Sequence, residues 1–183
     1  MAAEALRAGG IILYPTDTLY GLGANFFNKD AVERIYVIKG RNIKNRVSVI
    51  VASLDAAASY VEVTPLARKL AKKFLPGPLT LVLQKATGEE GSIRVPQSSL
   101  CLAIAKQFGK PFTATSANKS GHPDLYSVDA ILAQLGDAAQ HIDLVIDMGE
   151  LPPSLPSTVV DARGEKPIVL REGTISKEEI DNL

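Results

Sequence analysis

Short apolar runs alternate along this chain with capped segments of helical periodicity, and that alternation restricts its fold more than any other feature. Runs of strand length fall at 11–14, 47–51, 79–84, 92–95, 111–114, 144–147, 158–161 and 168–171, and most stop at proline, glycine or a polar cluster. Between them the sequence predicts helices over 2–8, 28–39, 55–60, 64–74, 98–108 and 127–135, with a terminal helix from Ser176. Asn28 and Ser127 are of the type that accepts from first-turn backbone donors, and Thr64-Pro65 sets a cap ahead of a proline suited to the first helical position. Strands and helices that interleave in this way predict α/β architecture. The strand pair around Gly164 makes the sheet mixed rather than wholly parallel.

At 183 residues one domain is expected, long enough to bury roughly two-thirds of its unfolded surface without disulfides or metals. The longest apolar runs, 47–54 and 79–83, fall well short of the roughly 20 residues of a spanning helix. With Glu4 and Arg7 near the start, neither membrane insertion nor a secretory leader is expected. Cys101 is the single cysteine, so an internal disulfide and a thiolate zinc cluster are excluded, which suits a reducing cytoplasm. Lys and Arg number 20, as do Asp and Glu, so no overall field draws the chain to nucleic acid or anionic membrane, although a local basic patch is compatible with that balance.

Two stretches have the composition of ligand-holding loops. After the run 11–14, Pro15 removes a backbone donor and Thr16, Asp17 and Thr18 bring two hydroxyls and a carboxylate. Gly21 and Gly23 follow, as residues that let the backbone turn tightly or approach a ligand closely. The second stretch, 115–121, reads Thr-Ser-Ala-Asn-Lys-Ser-Gly and also follows a strand. In open α/β sheets the ends of strands are where ligands usually bind. Elsewhere 42–46 reads as a polar connector, 86–91 as a mobile polar loop and 149–156, with three prolines, as a rigid loop.

The familiar nucleotide signatures are missing, and His122 and His141 have no ligand spacing that suggests a metal site or a Ser-His-Asp triad. Lys39-Gly40-Arg41 admits two readings: solvated cations complementing a helix dipole, or an ammonium and a guanidinium converging on a polyphosphate. Ser116-Ala117-Asn118 is either a capped turn or a nest of donors for a phosphate. Arg94, between Ile93 and Val95, either lies out in solvent on a packed stem or clamps a carboxylate. The same ambiguity holds for Ser157 and Arg171. Cys101 reads as a small core residue.

Taken together and in this order, Tyr14-Pro15-Thr16-Asp17-Thr18-Leu19-Tyr20-Gly21-Leu22-Gly23, Lys39-Gly40-Arg41, Pro76-Gly77-Pro78-Leu79-Thr80, Arg94-Val95-Pro96, Ser116-Ala117-Asn118 with Ser120-Gly121, and Ser157-Thr158-Val159-Val160-Asp161 resemble the YrdC-like, or TsaC-type, threonylcarbamoyl-AMP synthases. The resemblance runs from about residue 8 to residue 175. It implies a twisted open mixed sheet with flanking helices and a large basic concavity. It also implies an enzyme, a nucleotidyltransferase that joins L-threonine, bicarbonate or carbon dioxide, and ATP into threonylcarbamoyl-AMP and pyrophosphate. That product serves modification of the adenosine beside the anticodon of tRNA, through a separate transferase complex.

By the family's pattern, Thr18 holds the threonine, Arg94 pairs its carboxylate, and Ser157 and the backbone near Ala114 complete that pocket. Arg41, Asn45, Ser116, Asn118 and Arg171 are implied for ATP. Lys39 and Arg41 are the expected catalytic cations, both exposed to the concavity, and Mg²⁺ is expected on the phosphates with no protein ligands assigned. The match is to the short single-domain form, which implies one domain over 1–183 and no additional C-terminal domain. Val47-Ser48-Val49-Ile50 stands where longer relatives have a histidine, so that threonine contact does not carry over, and 86–91 departs from the family's usual residues. An alternative of a different class is an RNA-binding module using the same concavity, with weak RNA binding, which the balanced charge disfavours. A carbamoyl-adenylate activity of the hydrogenase-maturation type ranks lower, because the accessory segments of those larger chains are missing.

Overall fold

The computed structural model describes residues 1–43, 45 and 47–183; Lys44 and Arg46 of the expected connector lie outside the described residues. In chain order the elements begin with α1 (Ala2–Arg7), β1 (Ile12–Pro15), β2 (Tyr20–Gly23), α2 (Lys29–Lys39) and β3 (Ser48–Ile50). There follow α3 (Leu54–Ala57), α4 (Pro65–Phe74), β4 (Leu79–Gln84), β5 (Glu90–Arg94), α5 (Ser99–Phe108) and β6 (Phe112–Ser116). The chain continues through α6 (Val128–Leu135), a 3-10 helix over Gly136–His141, β7 (Leu144–Val145), β8 (Thr158–Asp161), β9 (Ile168–Arg171) and α7 (Lys177–Asp181).

The strands make one sheet in the order β7-β1-β2-β6-β3-β5-β4-β8-β9. Contacts β7–β1, β3–β5 and β4–β8 are parallel and the others antiparallel, so the sheet is mixed, as expected, and open. Capping follows the sequence closely. The side chains of Asn28, Thr64, Ser98 and Ser127 each accept from a backbone N–H of the first turn, and Ser176 forms a reciprocal capping box with Glu179. Each such cap contributes about 1 kcal/mol.

The period-two alternation of the strands decides where the core lies. In and just before β1, Ile11 and Leu13 face α2 and α6, packing with Ile35, Ile38 and Ile131, while Ile12 and Tyr14 face α1 and α5, packing with Leu6, Ile104 and Phe108. Toward the other edge only one face is filled in this way. Val49, Leu79, Leu81, Ile93 and Val160 pack with Ala57, Leu70 and Ile180 of α3, α4 and α7. The alternate residues of the same strands, among them Ser48, Thr80, Ser92 and Arg94, line a cavity instead. They are mostly small or polar, so the sheet is left hollow where it lacks a covering helix.

Three expectations change. Gly21 and Gly23 are not a turn: they belong to β2, paired with Tyr14 and Ile12 of β1. A Cβ on Gly23 would lie 2.8 Å from Ile12 Cγ1 and 2.9 Å from Tyr14 Cε1, so this glycine makes room for the Tyr14 ring, which packs edge-on against Phe112. The loop expected over 86–91 is shorter, because Glu90 and Gly91 pair with Gln84 and Leu83. Its turn closes through Lys85 N–H to Glu89 O at 2.7 Å. Finally, β6 runs on to Ser116, which puts that residue at a strand end rather than within a loop. The three-proline segment is held where rigidity was expected: Tyr20 Oη donates to Gly149 O at 2.7 Å, Leu151 N to Tyr126 O and Ser154 Oγ to Thr18 O, both at 2.8 Å.

Candidate active site

The hollow face of the sheet forms a cavity of about 570 Å³, within the roughly 300–1,000 Å³ of small-molecule sites. Its floor is β3, β5, β4 and β6, with Ser48, Ser92, Thr80 and Ala114 giving it depth. One wall is the β1–β2 connection with Thr16 and Thr18, and Phe26, Tyr36 and Arg41 form another. Ser157 and Arg171 close the far side. Of the residues expected at the site, Thr18, Arg41, Arg94, Ala114, Ser116, Ser157 and Arg171 all line this one cavity, although as many as 153 positions separate them, from Thr18 to Arg171.

Each is held by local contacts. Thr18 is buried, its hydroxyl 3.1 Å from that of Thr16. Thr16 closes the turn by accepting from Thr18 N and Leu19 N at 3.0 and 3.1 Å and donating to Leu19 O. Arg41 leaves α2 beyond Gly40, whose left-handed φ of 55° turns the chain, and its Nε donates to Asn45 O at 3.1 Å. The Ser157 hydroxyl lies 2.8 Å from that of Thr80, and its carbonyl accepts from Arg171 Nη2 at 2.7 Å.

Three expected residues lie off the described cavity wall: Lys39, Asn45 and Asn118. Asn45 is exposed. Lys39 was expected to face the concavity beside Arg41; it is instead 2% exposed. Its ammonium donates to Ser116 O, to Asn118 O at 2.8 Å and to Asn118 Oδ1 at 3.2 Å. The end of α2 lies against the loop after β6, where Ser120 N donates to Lys39 O at 2.8 Å, so the side chain finds a ring of oxygens rather than water. Asn118 ties the same loop together, accepting from Ser116 Oγ at 2.7 Å and donating to His122 O at 2.8 Å.

Arg41, Arg94 and Arg171 line the cavity, and Lys39 lies behind its wall. Burial pulls Lys39 down to about 8, with the Arg41 charge adding to the effect and Asp124 opposing it. Burial likewise lowers Arg171, opposed by Asp124 and reinforced by Arg94 and Arg41. Burial is the larger cause in both, and the neighbouring positive charges that add to it favour an anion in the cavity. Among the described residues the only buried side-chain nitrogen or oxygen without a hydrogen-bond partner is Nε of Arg94. Among those residues no group of three or more His, Cys, Asp or Glu side chains is placed to hold a metal ion.

Asp17 was not assigned a role from sequence. It pairs with Arg94, Nη2 to Oδ1 at 2.6 Å, with 9% and 10% of the two side chains exposed. No local pattern signals that pairing, since 77 positions separate the partners. Thr80 was visible only as part of a quoted motif; its register opposite Arg94 brings it to the same face.

A family model covering the Sua5, YciO and YrdC proteins, described as telomere recombination, matches residues 4–173. The threonylcarbamoyl-AMP synthase of Pyrococcus abyssi (strain GE5 / Orsay) is 36% identical over 193 positions, covering 100% of this chain and 56% of the relative. That of Bacillus subtilis (strain 168) is 36% identical over 191 positions, covering 98% and 54%. The solved structure of P. abyssi Sua5 complexed with L-threonine superposes with a TM-score of 0.90 at 34% identity, covering 99% of this chain and 55% of that one. The chain thus spans little more than half the length of these relatives.

Proposed function

The chain belongs to the Sua5/YciO/YrdC family, and from that premise we propose that it is a threonylcarbamoyl-AMP synthase acting on L-threonine, bicarbonate or carbon dioxide, and ATP. The observation that carries this is the convergence of Arg41, Arg94 and Arg171 on one cavity lined by hydroxyls. An amino-acid carboxylate and a triphosphate are anions of the kind such a set accepts.

Arg94, which lines the cavity, takes the threonine carboxylate through its guanidinium. Thr18, Ser157 and the backbone at Ala114 surround the rest of that substrate. Arg41, Arg171 and Ser116 hold the nucleotide, with Asn45 supporting Arg41 through its carbonyl. Lys39 and Asn118 act from behind the wall, fixing the strand end and loop that present Ser116 and adding positive potential.

The threonine amine adds to carbon dioxide, losing a proton, to give a carbamate. A carbamate oxygen then attacks the α-phosphorus of ATP, and the bond to pyrophosphate breaks. Negative charge accumulates on the phosphorus oxygens and the leaving group, where the guanidinium groups stabilise it, and holding three reactants together supplies much of the remaining acceleration. No side-chain nucleophile is needed. Mg²⁺ would come with the triphosphate rather than on protein ligands, and it would supply further charge neutralisation there.

The product is a donor for threonylcarbamoylation of tRNA by a separate transferase complex, which places the activity with its tRNA in the cytoplasm. RNA binding as the primary role is disfavoured by the formal net charge of +0. Among the described residues no helix is long and apolar enough to cross a membrane. Incubation with ATP, L-threonine and bicarbonate is the test: pyrophosphate release is expected to need all three, and release that persists unchanged without threonine contradicts the assignment.

A further inference from the structure

Arg94 and Asp17 come from segments whose strands are not neighbours in the sheet. Asp17 sits in the tight connection between β1 and β2, and Arg94 ends β5, which is separated from β2 by β6 and β3. The Thr16 hydroxyl closes that connection around Asp17. One carboxylate oxygen accepts from Arg94 Nη2 at 2.6 Å and the other from Gln97 N at 3.0 Å. Thr16 and Thr18 line the cavity, whereas Asp17, between them, is not among the described lining residues.

An arginine side chain has four rotatable bonds, and its fork recognises a carboxylate only when the guanidinium plane is held. Asp17 supplies that hold from the side away from the cavity. It occupies Nη2, while the arginine itself lines the cavity. We propose that Asp17 is the positioning residue for Arg94, setting the guanidinium to receive the carboxylate of the amino-acid substrate. The proposal rests on the synthase function described above, and the role is exerted through Arg94 and not by contact with the substrate.

The test is a double-mutant cycle on threonine-dependent pyrophosphate release, using Asp17→Ala, Arg94→Ala and the double variant. Loss of a charge-assisted orientation is expected to raise the threonine KM of Asp17→Ala about tenfold or more, with the ATP KM changed less than about twofold. In the Arg94→Ala background, removing Asp17 is expected to add little, because its effect passes through the missing guanidinium. Asp17→Glu, which keeps the charge, is expected to recover part of the loss. An unchanged threonine KM in folded Asp17→Ala overturns the proposal, as does an equal rise in both KM values or a full additional penalty in the double variant. If Asp17→Ala does not fold, Asp17→Asn, of the same size, is read by the same criteria. Failure of the synthase function itself is distinguishable, because the wild-type protein then shows no threonine-dependent release before any variant is compared.

Discussion

Lys39 shows how a single residue escapes a sequence reading. A lysine in the last turn of a helix reads either as a solvated cation or as one facing an anionic ligand, yet this ammonium is buried among carbonyl and amide oxygens from a loop about 80 positions away. Its partners are long-range, and so are those of Asp17, whereas Arg94 and Arg171 stand at the ends of strands that the sequence shows, and Arg94 also within a motif. Burial has a consequence for pH. The folded-state value of about 8 lies below the ordinary 10.5, so the folded protein binds fewer protons than the unfolded chain between those limits. The cost of burying the ammonium is therefore fully present below pH 8 and is relieved as pH rises toward 10.5. In urea unfolding compared with Lys39→Met, the relative stability of the wild type is expected to rise by about 3 kcal/mol across that window. A difference that stays flat with pH would mean that Lys39 titrates normally.

At the level of elements, the helices and most strands were legible because their signals are local: a capping side chain, a proline at the first helical position, an apolar run of strand length. β2 was not. Two glycines in four residues have low strand propensity, and their presence makes sense only once Tyr14 is seen to lie across them. The start of β5 at Glu90 was hidden for a related reason, since polar residues in a hairpin gain their pairing from the partner strand and not from burial. Gly173 offers a sharper test of how elements carry the site. A Cβ there would fall 2.0 Å from Pro156 O, 2.8 Å from Ser157 C and 2.9 Å from Thr158 N, all backbone of the segment that presents Ser157. Gly173→Ala is thus expected to displace that segment, lowering stability by about 1–3 kcal/mol and raising the threonine KM. Melting temperature and kinetics together check it, and a variant with unchanged values of both would show that the segment moves aside freely.

For the whole molecule, the same alternation that builds the core also builds the cavity. One face of β3, β5, β4 and β8 is apolar and covered by α3, α4 and α7, and the other carries small hydroxyl side chains and arginine. The mixed α/β class was readable from the order of elements. The hollow was expected only through the family resemblance, because it depends on which strands lack a covering helix, and that follows from the strand order rather than from any one segment. As a synthase, the molecule uses this hollow to bring an amino acid and a nucleoside triphosphate within bonding distance. The most direct measurement is a crystal structure with L-threonine and a non-hydrolysable ATP analogue. The threonine carboxylate is expected within hydrogen-bond distance of the Arg94 guanidinium and the triphosphate between Arg41 and Arg171; ligands bound away from these arginines, or threonine turned with its carboxylate toward solvent, would contradict that use of the hollow.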